Sequence, residues 1–182
     1  MKKFVVSVLG KDQPGIVASV ANILYAHDCN IEDVTQTILQ SEFAAILLVN
    51  CSESCVPGLA KELQQELDSL GLSVFIRPAT AAAAIPSAPP EPLVVTTSGP
   101  DCSGQVARVA AVIRDFNANI TELKAVSRKE SGSSEFIMIF EIAFPLSADF
   151  IAFRNRLRDV CSGIGLRYSV QHRDIFEAIN RV

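Results

Sequence analysis

The chain has 182 residues and a formal net charge of −4, with 49% hydrophobic and 20% charged residues. That apolar share is enough for a buried core, and the acidic balance excludes a general polyanion binder, which needs clustered Lys and Arg to displace counterions. No apolar run approaches the roughly 20 residues a membrane-spanning helix needs, so a soluble, cytoplasmic chain with no membrane partner is expected.

The opening KKFVVSVLG reads as a strand: apolar, β-branched and stopped by Gly10. Its apolar run of about 6 residues is too short for the roughly 7–15 of a secretory h-region. After the loop KDQPG, Ile16, Val17, Val20, Ile23 and Leu24 fall at helical spacing. Pro14 is expected in the first helical turn, where its missing N–H costs nothing. IEDVTQTIL and EFAAILLVN are β-rich and separated only by Gln40 and Ser41, which predicts an antiparallel hairpin. A second helix carries Val56, Leu59, Leu63, Leu67 and Leu70 and ends at Gly71 as a C-cap. LSVFIRP completes a β-α-β-β-α-β order over residues 1–78.

Residues 79–92, ATAAAAIPSAPPEP, lose all periodicity. Pro86, Pro89, Pro90 and Pro92, with Pro78 before them, predict a stiffened linker rather than a helix. The same element order then returns over 93–174. LVVTT is a strand and GPDCSG a loop, and Val106, Val109, Ala110, Ile113 and Phe116 mark a helix. ITELKAVSR and EFIMIFEIAF form a hairpin around residues 130–134. Phe150, Phe153, Leu157 and Val160 stripe the next helix, closed by Gly163 or Gly165, and LRYSVQH is the last strand. The tail 175–182 is expected to pack Ile175, Phe176 and Ile179. The fold class is α+β: two ferredoxin-like βαββαβ sandwiches in tandem. Cores this small gain burial by docking or by forming a homodimer.

The two halves share wording as well as order. Gly10, Asp12, Gly15, Val17, Ala18, Val20, Ala21, Asn30 and Ile31 recur as Gly99, Asp101, Gly104, Val106, Ala107, Val109, Ala110, Asn119 and Ile120. A G-x-D-x-x-G loop at a helix start turns backbone N–H groups outward, where the helix N-terminus favours negative charge. A carboxylate fits there. Asp12 or Asp101 can take an ammonium group or cap the helix, and Asn30 or Asn119 can serve either end of a zwitterion. Residue chemistry alone favours the plainer account: glycine for the turn, Asp for the cap, Asn for the turn before a strand.

The element order, with DQPGIV and CNIED, resembles the ACT domain, and two such modules in tandem resemble the glycine cleavage system transcriptional repressor family. The tail QHRDIFEAINRV is also similar to the end of small single-ACT proteins. The resemblance implies an amino acid, glycine or serine first, held between the loop after the first strand of one module and the start of the second strand of a neighbour. Carried over, the ligand-binding residues are Asp12, Gln13, Pro14, Gly15 and Ile16 with Asn30 and Ile31. In the second module they are Asp101, Cys102, Ser103, Gly104 and Gln105 with Asn119 and Ile120. There Cys-Ser replaces Gln-Pro and Gln105 replaces Ile16, so equal binding by both modules is not expected.

The remaining features argue against catalysis. Cys29, Cys51, Cys55, Cys102 and Cys161 are odd in number and show no C-x-x-C pair. With only His27 and His172 beside them, no metal or cofactor is expected and the thiols read as small apolar residues. No nucleophile–base pair stands out; Cys102, at a helix start, is the one thiol with an alternative catalytic reading. Arg154, Arg156 and Arg158 split between helix faces, and no helix-turn-helix pattern occurs, so direct nucleic-acid binding is not expected. The resemblance implies a protein partner such as a transcription activator. The rival reading is a tandem-ACT subunit controlling a metabolic enzyme in trans.

Overall fold

The computed structural model describes residues 1–80, 89–130 and 133–180. The middle of the expected linker (81–88), the second hairpin's turn (131–132), residues 181–182 and the side chain of Ile179 lie outside the described residues. The chain separates into two compact units, Met1–Ala82 and Ala83–Val182.

In the first unit β1 (Lys2–Lys11), α1 (Ile16–Ala26), β2 (Asn30–Leu39), β3 (Glu42–Cys51), α2 (Val56–Ser69) and β4 (Leu72–Pro78) follow in order. A single 3-10 turn, Glu53–Cys55, precedes α2; strand and helix patterns alone give no sign of it. The sheet order is β2-β3-β1-β4 with every pairing antiparallel. Alternation along β1 and β3 sends Phe4, Val6, Val8, Phe43, Ala45, Leu47, Val49 and Cys51 to one face. Against it α1 packs Ile16, Val20, Ile23 and Leu24, and α2 packs Leu59, Leu63 and Leu67. Val17 and Leu70, placed on these stripes by spacing, are 46% and 36% exposed. Val17 falls on the flank of α1, and Leu70 is the C-cap just past the end of α2.

The second unit repeats the plan with β5 (Glu91–Pro100), α3 (Gln105–Asp115), β6 (Asn119–Glu130), β7 (Ser133–Phe144), α4 (Phe150–Gly163) and β8 (Arg167–His172). Its sheet order is β6-β7-β5-β8, again antiparallel throughout. β5 starts at Glu91, inside the segment expected as linker. Pro92 is tolerated because β5 pairs with β8 only from Leu93 onward, leaving Pro92 a single neighbouring strand. Val112 and Cys161 join the core in places the apolar stripes did not mark. Phe153 meets the rings of Phe116 and Phe144 at 5.4 and 5.0 Å between centroids. A last helix, α5 (Arg173–Asn180), packs on β5 and β8. Its Ile175 is exposed rather than packed, and Phe176 is half-buried.

The repeated glycines mark two different constraints. A Cβ on Gly10 would stand 2.9 Å from the Gly71 carbonyl oxygen, and one on Gly99 would stand 2.7 Å from that of Gly165. The central strand of each unit passes that close to the turn that follows its second helix. Gly15 and Gly104 have open space around them but φ of 96° and 83°, so backbone conformation selects glycine there. Among the described residues, no helix is long and apolar enough to cross a membrane.

Candidate functional site

The loop leaving β1 is tied down at two points. The Asp12 N–H donates to the Ser41 carbonyl at 2.8 Å, and the Gln13 amide nitrogen donates to the Leu70 carbonyl, also at 2.8 Å. Leu70 is the C-cap of α2, so Gln13 satisfies a carbonyl that the helix end would leave unpaired. Pro14 lies in the turn ahead of the helix and not in its first turn, because Gly15 in the left-handed region is the N-cap. The first helical bond runs from the Ser19 N–H to the Gly15 carbonyl. Ile16 is buried in the core and offers a ligand only its backbone.

The expected capping role of the aspartates is not observed. No side chain caps α1 or α3, whereas α4 is capped by Asp149, whose Oδ1 accepts the N–H groups of Ile151 and Ala152 at 2.9 Å. Asp12 and Asp101 stay exposed beside open helix N-termini. In the second loop Cys102 and Ser103 are exposed and Gly104 is the left-handed N-cap. Gln105 is turned inward at 2% exposure: its amide nitrogen donates to the Pro100 carbonyl at 2.7 Å, while its Oε1 has no partner among the described residues.

The asparagines are elsewhere. Because β1 and β2 each run antiparallel to β3, they are parallel to one another, and the end of β1 and the start of β2 occupy opposite ends of the sheet. Lys11 pairs with Glu42 and Asn30 with Asn50; a ten-residue strand separates these ends by roughly 30 Å. In the second unit Pro100 pairs with Glu135, while Asn119 pairs with Ala143 at the far end. Asn30 and Asn119 are exposed, and Ile31 and Ile120 pack half-buried against their cores. A single unit therefore does not assemble loop and asparagine into one site.

The Arg-rich helix does not form a basic surface. Arg158 pairs with Asp159, and Arg154 lies over the Phe150 ring. Arg156 shares an open groove between α3 and α4 with Arg108, Asp115 and Asp159, a lining of both signs.

One grouping escaped the sequence analysis. The Sγ atoms of Cys29, Cys51 and Cys55 all lie within 4.8 Å of one another, with Cys29 and Cys55 4.0 Å apart. Cys29 precedes Asn30, which pairs with Asn50, so the hairpin register sets it beside Cys51. The 3-10 turn then brings Cys55 back over them. Burial pushes the Cys29 thiol up to about 12, helped by the neighbouring sulfurs, and also raises Cys51. All five cysteines are free. The pairing of the two strands was the signal that could have found this group, since linear spacing separates Cys29 from the other two.

Comparison with known proteins follows the division into units. The ACT domain family profile matches residues 2–77. A UPF0237 protein of Methanopyrus kandleri is 43% identical over 79 residues, covering 42% of this chain and 88% of its own length. The glycine cleavage system transcriptional repressor of Escherichia coli is 26% identical over 170 residues, covering 91% of this chain and 87% of that protein. Among solved structures, an unknown protein from Galdieria sulphuraria superposes with a TM-score of 0.79 at 26% identity, over 94% of this chain and 98% of that one.

Proposed function

The chain belongs to the ACT domain family, and from that premise we propose that it is a non-enzymatic regulator that binds a small amino acid, glycine or serine first. It acts by contact with a DNA-binding transcription activator in the control of glycine cleavage. The pathway is suggested by the likeness to the Escherichia coli repressor along most of the chain.

The observation that carries the ligand reading is the pair of open helix N-termini, each flanked by an exposed aspartate that does not cap it. The leading N–H groups of a helix have no partner within it, and the positive end of the helix favours a carboxylate. Asp12 or Asp101, left free of capping, can accept the ammonium group of the same ligand. Asn30 or Asn119, standing at the far end of its own sheet, would reach that ligand only from another module. The signal to the partner is a shift between docking-competent states, limited by the ligand's differential affinity for them.

Calorimetric titration with glycine and then serine tests the reading, with Asp12→Ala and Asp101→Ala alongside. Saturable binding that one of the variants loses supports it. Absence of heat with either amino acid at concentrations well above cellular levels refutes the ligand. Co-purification separates the activator from the rival partner class: recovery of a metabolic enzyme instead would move the protein to regulation of that enzyme in trans.

A further inference from the structure

The thiols of the first unit are arranged as ligands are. They come from three elements: Cys29 from the loop before β2, Cys51 from the buried end of β3, and Cys55 from the 3-10 turn that leads into α2. A metal–sulfur bond of about 2.3 Å places three sulfurs around one ion about 4 Å apart. Cys29 and Cys55 already stand at 4.0 Å, and the whole set fits within 4.8 Å. Small side-chain rotations would close it.

Packing does not demand thiols here. In the second unit, strand register places Ala118 and Phe144 where the first has Cys29 and Cys51, and the turn bond from the Ala148 N–H to the Pro145 carbonyl, at 3.0 Å, repeats that from Cys55 to Ser52, at 3.1 Å. Those three fill the same corner as ordinary apolar residues. Three cysteines gathered in one unit, where the sister unit uses none, is a chemical difference imposed on a shared fold.

We propose that Cys29, Cys51 and Cys55 form a three-thiolate site for one cuprous ion. Thiolate donors select soft cations. A closed zinc site takes four protein ligands, and no fourth His, Cys, Asp or Glu of the described residues shares the cluster. The nearby hard donors are engaged elsewhere: Glu62 holds His27 at 2.7 Å, and Lys2 holds Glu53 at 2.5 Å. A three-coordinate soft monovalent ion is the occupant this donor set fits. Binding converts three thiols into thiolates, releases three protons to solvent and leaves copper in its cuprous state throughout. Cys55 is also the N-cap of α2. Its present bond to the Ser52 carbonyl, at 2.9 Å, is given up.

The test uses the full chain, reduced and free of oxygen, with cuprous ion supplied as its bicinchoninate complex. The expected result is transfer of one copper per chain, with a thiolate-to-copper absorption band in the ultraviolet. Cys29→Ala and Cys55→Ala should each weaken retention by about tenfold or more. Both substitutions introduce the residue the second unit already carries, and their unfolding curves without copper verify that they fold. Failure of the wild-type chain to take copper from the chelator overturns the site. So does equal retention by both variants, which would place the copper on other thiols. Zinc that displaces the copper would overturn the choice of a three-coordinate ion.

Discussion

The two units are built from one pattern, and their differences separate what the fold requires from what it leaves free. Gly10 and Gly99 each approach the turn after the second helix of their own unit, Gly15 and Gly104 share the left-handed conformation, and neither Asp12 nor Asp101 caps its helix. Those positions are fixed in both. The interiors diverge. Where the first unit buries Ile16 and Val8, the second buries Gln105 and Thr97, and both of these carry a side-chain oxygen without a partner among the described residues. Where the first gathers three sulfurs, the second stacks phenylalanine rings: Phe144 meets Phe150 and Phe153 at 5.9 and 5.0 Å. Backbone geometry is repeated; side-chain chemistry is specialised unit by unit.

Substitutions can break this comparison, and the largest effect belongs to the ring stack. Phe153→Ala should cost about 3–5 kcal/mol, more than Leu59→Ala at the matching position of α2, because two aromatic neighbours lose their partner. Denaturant unfolding of the two variants compares them, and an equal loss would mean the stack adds nothing beyond buried volume. Next come the glycines. Gly99→Ala drives a methyl group against a backbone oxygen and should cost about 1–3 kcal/mol. Gly15→Ala meets no atom and should cost only the left-handed strain, about 1 kcal/mol.

The aspartates sharpen the contrast between structure and site. Asp149→Ala removes a true cap and should cost about 1 kcal/mol. Asp12→Ala and Asp101→Ala remove none, so their thermal midpoints should stay near wild type while at least one of them loses ligand heat. A comparable fall in stability would assign them to the fold after all. Gln105→Ile, which copies the first unit, should gain about 1 kcal/mol by removing an unpaired buried oxygen.

The smallest effect is alkaline. Cys29 is raised by burial to about 12 and Cys161 to about 11, from 9.0. Below pH 9 these thiols are protonated in the folded and unfolded chain alike, and their contribution is fully present. As pH rises from 9 through 11 and 12, the unfolded chain ionises first and stability falls. Cys161→Ala should flatten the part of that decline between pH 9 and 11, as read by thermal unfolding.

Most of the strands and helices were legible because their signals are local: alternation in β1 and β3, the leucine spacing of α2, the two-residue gap before β3. The start of β5 was not, since Glu91-Pro92 looks like linker until β7 is known to pair with it. Pro14 was misplaced because helix periodicity does not reveal that Gly15 takes a left-handed conformation and so holds the N-cap. The loop residues of the candidate site were readable as a motif, and the resemblance implied that their asparagine comes from a neighbouring module, but residue spacing alone gave no sign of that separation. That separation follows from strand order, a non-local property. The thiol group was hidden for the same reason, as register rather than spacing joins Cys29 to Cys51.

The parallel run of β1 and β2 has a thermodynamic consequence. A ligand that needs both the loop and the asparagine acts as a cross-link, because roughly 30 Å of strand keeps one module from supplying both. If the second module comes from another chain, ligand affinity and chain association become one linked equilibrium. Diluting the protein would then weaken ligand binding, and adding ligand would resist dissociation on dilution. Such a regulator would report its own abundance along with that of the amino acid.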